Sequence, residues 1–344
     1  MNTRRLLVVG PSWVGDMVMA QSLFRILKDQ DTHFNRETQI TVLAPNWSEP
    51  VLARMPEVAK VEIMPIGHGR MELKTRYRLG RRFRSKKFDQ AIILPGSLKS
   101  ALIPWFARIP KRTGFLKEPR FGLVNDLRTL EPKQLPLNVQ RYAALGFDAS
   151  HPPSDRAIQS PPNPKLHILT RERAAALKRF NLTTDTPILA LCPGAEYGPA
   201  KQWPAKHFAA VAKTKLNQGW QVWIFGSTKD QEVANEINEI VGGGCQSLTG
   251  ATSLGEAIDL LSLCRYVVTN DSGLMHVAAA VGCEVVAIYG SSSDQFTPPL
   301  TERCHKMSID IDCRPCFKRH CPLGHTNCLV KLDPNRVLSA ISPT

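Results

Sequence analysis

The sequence predicts an α/β protein built from two Rossmann-like, doubly wound domains, and three observations predict it. Short apolar runs alternate with amphipathic helical stretches, which implies parallel sheets covered on both faces. The alternation comes as two series, one in each half of the chain. At 344 residues the chain is too long for one small core, and a prior of about 150 residues per domain suggests two.

In the first half, Leu6–Val9, Ile40–Leu43, Val61–Met64 and Ala91–Leu94 read as buried strands. Met17, Ala20, Phe24 and Leu27 recur at helical spacing after the first of them. The turn between, Gly10-Pro11-Ser12-Trp13-Val14-Gly15-Asp16, lacks the spacing of a dinucleotide fingerprint. It is not a Walker A loop either, because Gly15 is followed by Asp16 rather than Lys-Ser/Thr. A helix N-terminus favours an ionised carboxylate by about 0.3–1 kcal/mol. At the carboxyl end of a parallel strand, Asp16 can therefore act as a general base; the alternative is an ordinary first-turn aspartate.

The run Arg70–Lys87 holds nine Lys and Arg against Glu72 alone. Arg78 and Arg81 in it, and Arg112 and Arg120 in the later segment Lys111–Arg120, are candidates for holding an acidic acceptor. A solvated helix face is the alternative. The Pro-rich stretches at 151–154 and 160–164 mark the seam. The predicted domains are 1–165 and 166–332, with a helix around Thr170–Phe180 opening the second.

In the second half, Ile188–Leu191, Val222–Phe225, Tyr266–Thr269 and Val285–Tyr289 read as strands. Phe208, Val211 and Leu216 follow helical spacing less strictly. The strand at 266–269 runs into Asn270-Asp271-Ser272-Gly273-Leu274-Met275-His276 and an apolar helix. Asp271 or Ser272 would cap that helix, Gly273 would let a ligand approach the backbone, and His276 sits about a turn in. Together these suit a diphosphate, with a capped helix and a packed histidine as the alternative. The strand at 188–191 leads to Cys192-Pro193-Gly194 and on to Lys201-Gln202-Trp203-Pro204, which places Lys201 as a mobile cation fit for a phosphate. Ser227, in the turn after 222–225, could touch a ribose or base.

Cys313, Cys316, Cys321 and Cys328 include one C-x2-C pair. The second pair does not match a zinc-ligand spacing, so free thiols in a compact loop are preferred to a structural metal. All nine cysteines lie at or after Cys192, whereas residues 1–160 hold 26 of the 44 Lys and Arg against 14 of the 30 Asp and Glu. The basic half should meet something anionic: nucleic acid, a phospholipid surface or an acidic glycolipid. No helix-turn-helix, RNA-recognition or finger pattern supports nucleic acid. The missing glycine fingerprint argues against a nicotinamide dehydrogenase. Hydrophobic residues at 43% and charged residues at 22% exclude a disordered chain. No apolar stretch approaches a membrane span, and the apolar run at the start is too short for a secretory signal. The expectation is a cytoplasmic protein with at most peripheral membrane contact.

In order and spacing, the Gly-Asp turn (15–16), the Pro-Gly…Lys-x-Trp-Pro loop (193–204) and the Asp-Ser-Gly-Leu-Met-His helix start (271–276) resemble the lipopolysaccharide heptosyltransferases of glycosyltransferase family nine. Gly290-Ser291-Ser292-Ser293-Asp294 departs from the Gly-Pro-Thr-Asp type sequence of many relatives. The resemblance implies a GT-B fold, with two Rossmann-like domains facing a cleft: the first for the acceptor, the second for the nucleotide sugar. It implies transfer of L-glycero-D-manno-heptose from ADP-heptose to the first heptose of the inner core on Kdo2-lipid A, with inversion. Other nucleotide-sugar transfers of the same fold are the alternative. It also implies that the tail, 333–344, packs back on the first domain. On this reading Asp16 takes the acceptor proton. Lys201, His276 and the helix N–H groups meet charge growing on ADP, with no divalent metal required. The anionic glycolipid is met by the basic half.

Overall fold

The computed structural model describes residues 2–67 and 69–342. The chain divides into two compact units, Met1–Pro164 and Lys165–Thr344. In the first, β1 (Asn2–Val9), β2 (Arg36–Ala44), β3 (Val58–Ile63), β4 (Gln90–Ile93), β5 (Lys111–Phe115) and β6 (Asp126–Arg128) form one parallel sheet in the order β3-β2-β1-β4-β5-β6. Leu6 sits opposite Ile40 on one side and Gln90 on the other. The chain winds outward from β1 in one direction and resumes at β4 in the other, so the switch point lies between β1 and β4. Ligands of doubly wound sheets bind beyond the carboxyl ends of the strands at such a point.

The second unit repeats this winding. Its strands β7 (Ile188–Cys192), β8 (Gln221–Ile224), β9 (Cys245–Ser247), β10 (Tyr266–Asn270), β11 (Glu284–Ile288) and β12 (Cys304–Met307) are parallel in the order β12-β11-β10-β7-β8-β9. The switch point lies between β7 and β10. Both of these strands are buried along their whole length, which explains the apolar runs Ile188–Cys192 and Tyr266–Val268.

Helices cover the sheets as the 3.6-residue period requires. The helix Val14–Phe34 buries Met17, Ala20, Phe24 and Leu27 completely. The helix Ala205–Asn217 buries Phe208, Val211 and Ala212, which join Trp203, Leu191 and Val268 in the second core. Gly10 is needed where β1 ends, because a Cβ there would lie 2.9 Å from the Met17 side chain.

The tail is a correction to the sequence-based expectation. It belongs to the second unit, where Val337 and Ile341 are buried in the core beside Phe208. Lys215 Nζ donates to the Ile341 carbonyl from a buried position, and the Trp203 indole donates to the Leu332 carbonyl. Apolar residues at 337 and 341, one helical turn apart, find an apolar face to cover on the Ala205–Asn217 helix. Pro343 and Thr344 lie outside the described residues.

Candidate active site

At the first switch point Asp16 stands in the first turn of the Val14–Phe34 helix, just past β1. The helix N-cap is Trp13, which makes no side-chain capping bond, so the first-turn carboxylate meets the helix dipole. Two residues of the helix Asn138–Ala144 hold it. Asn138 Nδ2 donates to Asp16 Oδ1 at 2.9 Å. Tyr142, one turn further on and buried, hydrogen-bonds to Asp16 through its hydroxyl. Burial first, then the Asp16 charge, push the Tyr142 phenol well above its ordinary pKa, so it stays a neutral donor. Asn138 and Tyr142 carry no local signal linking them to Asp16, from which they are separated by more than a hundred residues.

At the second switch point, loops after β7 and β10 are tied together. The buried Asn270 side chain accepts from the Trp203 N–H at 3.0 Å and donates to the Pro193 carbonyl at 2.6 Å. This fixes both ends of the 193–203 loop against β10. Lys201, the expected mobile cation, is instead ion-paired with the buried Asp271 carboxylate. Its ammonium also lies 5.1 Å from the Tyr197 ring centroid. The pair neutralises a carboxylate that would otherwise be buried alone.

Of the two expected capping residues, Ser272 takes the N-cap position of Gly273–Ala280 with extended backbone, but without the side-chain bond. Its hydroxyl lies 3.5 Å from Thr269 Oγ1. The amides at the start of this helix are therefore left to a ligand. His276 is buried, and its Nδ1 has no hydrogen-bond partner among the described residues. Burial lowers its pKa to about 4, with Asp271 opposing and Lys201 adding to the fall. His276 is thus neutral near pH 7, free to hydrogen-bond but carrying no charge. Ser227 gives its hydroxyl and its amide N–H to Asp230 Oδ2, both at 2.8 Å, so it first shapes its own turn.

The four expected acceptor arginines separate into two kinds. Arg120 is 2% exposed, and its guanidinium donates to the Pro95 and Phe115 carbonyls and to Ser100 Oγ. Arg112 donates to the Leu123, Ile109 and Gly122 carbonyls. Both tie loops together, a correction to their expected role: five N–H donors match converging carbonyls as well as they match phosphates. Arg78 and Arg81 remain exposed on the helix Leu73–Phe83.

The cysteines Cys313, Cys316, Cys321 and Cys328 line a cavity of about 20 Å³ together with His325. The Cys328 thiol is pushed up by burial and then by the other three thiols. All are free, and among the described residues no group of three or more His, Cys, Asp or Glu is arranged to hold a metal ion. Their loop straps the turns that follow β7 and β11: Tyr197 donates to the Phe317 carbonyl, and Arg314 Nε donates to the Gly290 carbonyl. A much larger cavity, about 1350 Å³, lies in the first unit beside Arg4, Asp89 and Lys111. That is the amino end of the sheet, away from Asp16. Among the described residues no helix is long and apolar enough to cross a membrane.

Two parallel six-stranded sheets of one winding, shared with a solved heptosyltransferase at 42% identity, place the chain among the glycosyltransferases of GT-B type. Residues 76–327 match glycosyltransferase family 9 (heptosyltransferase), and the chain belongs to that family. It is 44% identical over 342 residues to lipopolysaccharide heptosyltransferase 2 of Salmonella typhimurium, covering 98% of this chain and 97% of that one. It is 48% identical over 306 residues to lipooligosaccharide heptosyltransferase 2 of Haemophilus influenzae, covering 87% and 86%. The solved structure of E. coli ADP-heptose lps heptosyltransferase II superposes with a TM-score of 0.84 at 42% identity, covering 98% and 97%.

Proposed function

We propose that the chain moves L-glycero-D-manno-heptose from ADP-heptose to the first heptose of the lipopolysaccharide inner core, heptosyl-Kdo2-lipid A, with inversion. The observation that carries this reading is the near-full-length identity to heptosyltransferases 2. The acceptor hydroxyl forms a bond to the anomeric carbon while the bond to ADP breaks, through an oxocarbenium-like centre. Asp16, held by Asn138 and Tyr142, takes the proton of that hydroxyl. In the second unit the diphosphate competes with Asp271 for Lys201. The amides of Ser272 and Gly273 and the neutral His276 supply hydrogen bonds as charge grows on ADP. Ser227 lies on the turn that follows β8 and takes the nucleoside side. These groups meet the leaving charge, so the reading calls for no divalent ion. The first unit takes the acceptor, whose phosphates and Kdo carboxylates suit the exposed Arg78 and Arg81. A lipid-anchored acceptor places the reaction at the cytoplasmic face of a membrane, with no nucleic acid involved.

The test is turnover of purified protein with ADP-heptose and heptosyl-Kdo2-lipid A in the presence of EDTA. A product heavier by one heptose, with ADP released, is expected. Donor binding without product would move the acceptor to another core sugar. Failure with EDTA but not without it would overturn the metal-free chemistry.

A further inference from the structure

The first unit carries an exposed apolar face, formed by Leu73, Tyr77 and Trp105, that the proposed reaction does not use; Arg81, which borders it, is shared with the acceptor. The helices Leu73–Phe83 and Leu98–Phe106 pack closely at Gly80, where a Cβ would lie 2.4 Å from that of Phe106. This approach sets Tyr77 edge-on to Phe106, with ring centroids 5.2 Å apart, and Trp105 lies 5.0 Å from the same ring. Leu73, one turn before Tyr77, is 54% exposed, and Tyr77 and Trp105 are 42% and 44% exposed. Three guanidiniums surround these rings. Arg81 donates to the Tyr77 hydroxyl at 3.2 Å, and Arg84 donates to the Phe106 carbonyl at 2.9 Å. Arg81, Arg84 and Arg108 all draw the Tyr77 phenol below its ordinary pKa, Arg81 most strongly.

Three other cations of the run, Arg76, Arg82 and Lys86, are engaged elsewhere. Arg76 is buried and donates to the Met71, Arg70 and Lys99 carbonyls. Arg82, Lys86 and Lys60 converge on Glu62. Arg81, Arg84 and Arg108, by contrast, pair with no carboxylate among the described residues. A surface that keeps leucine, tyrosine and tryptophan exposed, ringed by arginines with no carboxylate partner among the described residues, has the composition of an interfacial membrane contact. Aromatic rings settle at the headgroup level, and arginines are drawn to an anionic leaflet.

We propose that the face formed by Leu73, Tyr77 and Trp105 with Arg81, Arg84 and Arg108 docks the chain on an anionic phospholipid bilayer. This deepens the reading of the acceptor as lipid-anchored and rests on it for its purpose, though not for its test. The face presents apolar side chains, Leu73, Tyr77 and Trp105, among its arginines, a composition that suits a bilayer interface better than a phosphate backbone alone.

The experiment is co-sedimentation of the full chain with vesicles that contain no acceptor. One set is phosphatidylcholine alone; the other includes phosphatidylglycerol. With three cations near the surface, binding should be roughly 100-fold tighter on the anionic vesicles. Trp105→Ser with Leu73→Ser, and separately Arg108→Glu, should each weaken it at least tenfold. Both should keep the native melting temperature and native turnover on a deacylated acceptor. Equal binding to the two vesicle types would overturn the proposal. So would unchanged binding by the variants, or binding of a single-stranded oligonucleotide in place of vesicles. Absence of turnover by the native chain would count against the proposed reaction and leave the vesicle result standing.

Discussion

The two units wind their sheets in the same order and arm their switch points in opposite ways. After β1 a carboxylate is held by uncharged donors, the Asn138 amide and the Tyr142 phenol. After β7 and β10 a lysine is locked to a carboxylate beside a neutral histidine. The winding supplies a strand end, a turn and a helix start in each case. Side-chain choice then decides whether the place suits taking up a proton or receiving a diphosphate. The fold positions chemistry without specifying it.

The sharpest way to break this comparison is Asp16→Asn. Turnover should fall by roughly 10²–10⁴ while ADP binding, measured by titration, stays native. Near-native turnover would remove the proton-accepting role from the first switch point. Tyr142→Phe keeps the ring and removes one donor to Asp16. It should lower kcat less than Asp16→Asn does and shift the acid limb of the pH–rate profile upward, since the charged carboxylate loses a hydrogen bond.

The second switch point makes a prediction about stability. His276 binds a proton at about pH 4 in the fold and near 6.5 when unfolded. Between these values the unfolded chain holds the extra proton, so stability rises with pH across the window and is lost as pH falls from 6.5 towards 4. The full difference is on the order of 3 kcal/mol. Thermal melts across that window should steepen accordingly, and His276→Gln should flatten them. An unchanged slope would mean that His276 is hydrated or already partnered.

The smallest expected contrast lies within the first unit. Arg120→Met strips the Pro95 and Phe115 carbonyls and Ser100 of a shared donor, and should cost about 3 kcal/mol in denaturant unfolding. Arg78→Gln, on an exposed helix face, should stay within about 0.5 kcal/mol. Equal effects would mean that the division between loop-tying and exposed arginines is not real.

That division also shows what the sequence could and could not disclose. The central strands were legible because both faces are buried, leaving unbroken apolar runs at 6–9 and 266–268. The edge strands β6, β9 and β12 were not, since Asp-Leu-Arg, Cys-Gln-Ser and Cys-His-Lys-Met carry polar side chains that suit an edge, and neither was β5, whose Lys-Arg-Thr-Gly-Phe is as polar. Asp16, Asp271 and His276 stood out because each lies on a contiguous strand–turn–helix stretch. Asn138 and Tyr142 did not, because their meeting with Asp16 is made by packing of distant helices. A charge count likewise cannot tell a guanidinium aimed at solvent from one aimed at carbonyls, so Arg112 and Arg120 were misplaced. Nor can it show that Lys201 already has a partner in Asp271.

The position of the tail has a consequence in time. The first unit has its whole core once residue 164 has been made. The second needs Val337 and Ile341 against the helix Ala205–Asn217, and Lys215 has no buried carbonyl to donate to until Ile341 arrives. During synthesis the unit suited to the acceptor can fold while ribosomes are still translating the other. The second unit is left with an open apolar flank until Val337 and Ile341 have been made. A nascent chain stalled before residue 337 should therefore resist protease up to about residue 164 and be cut beyond it.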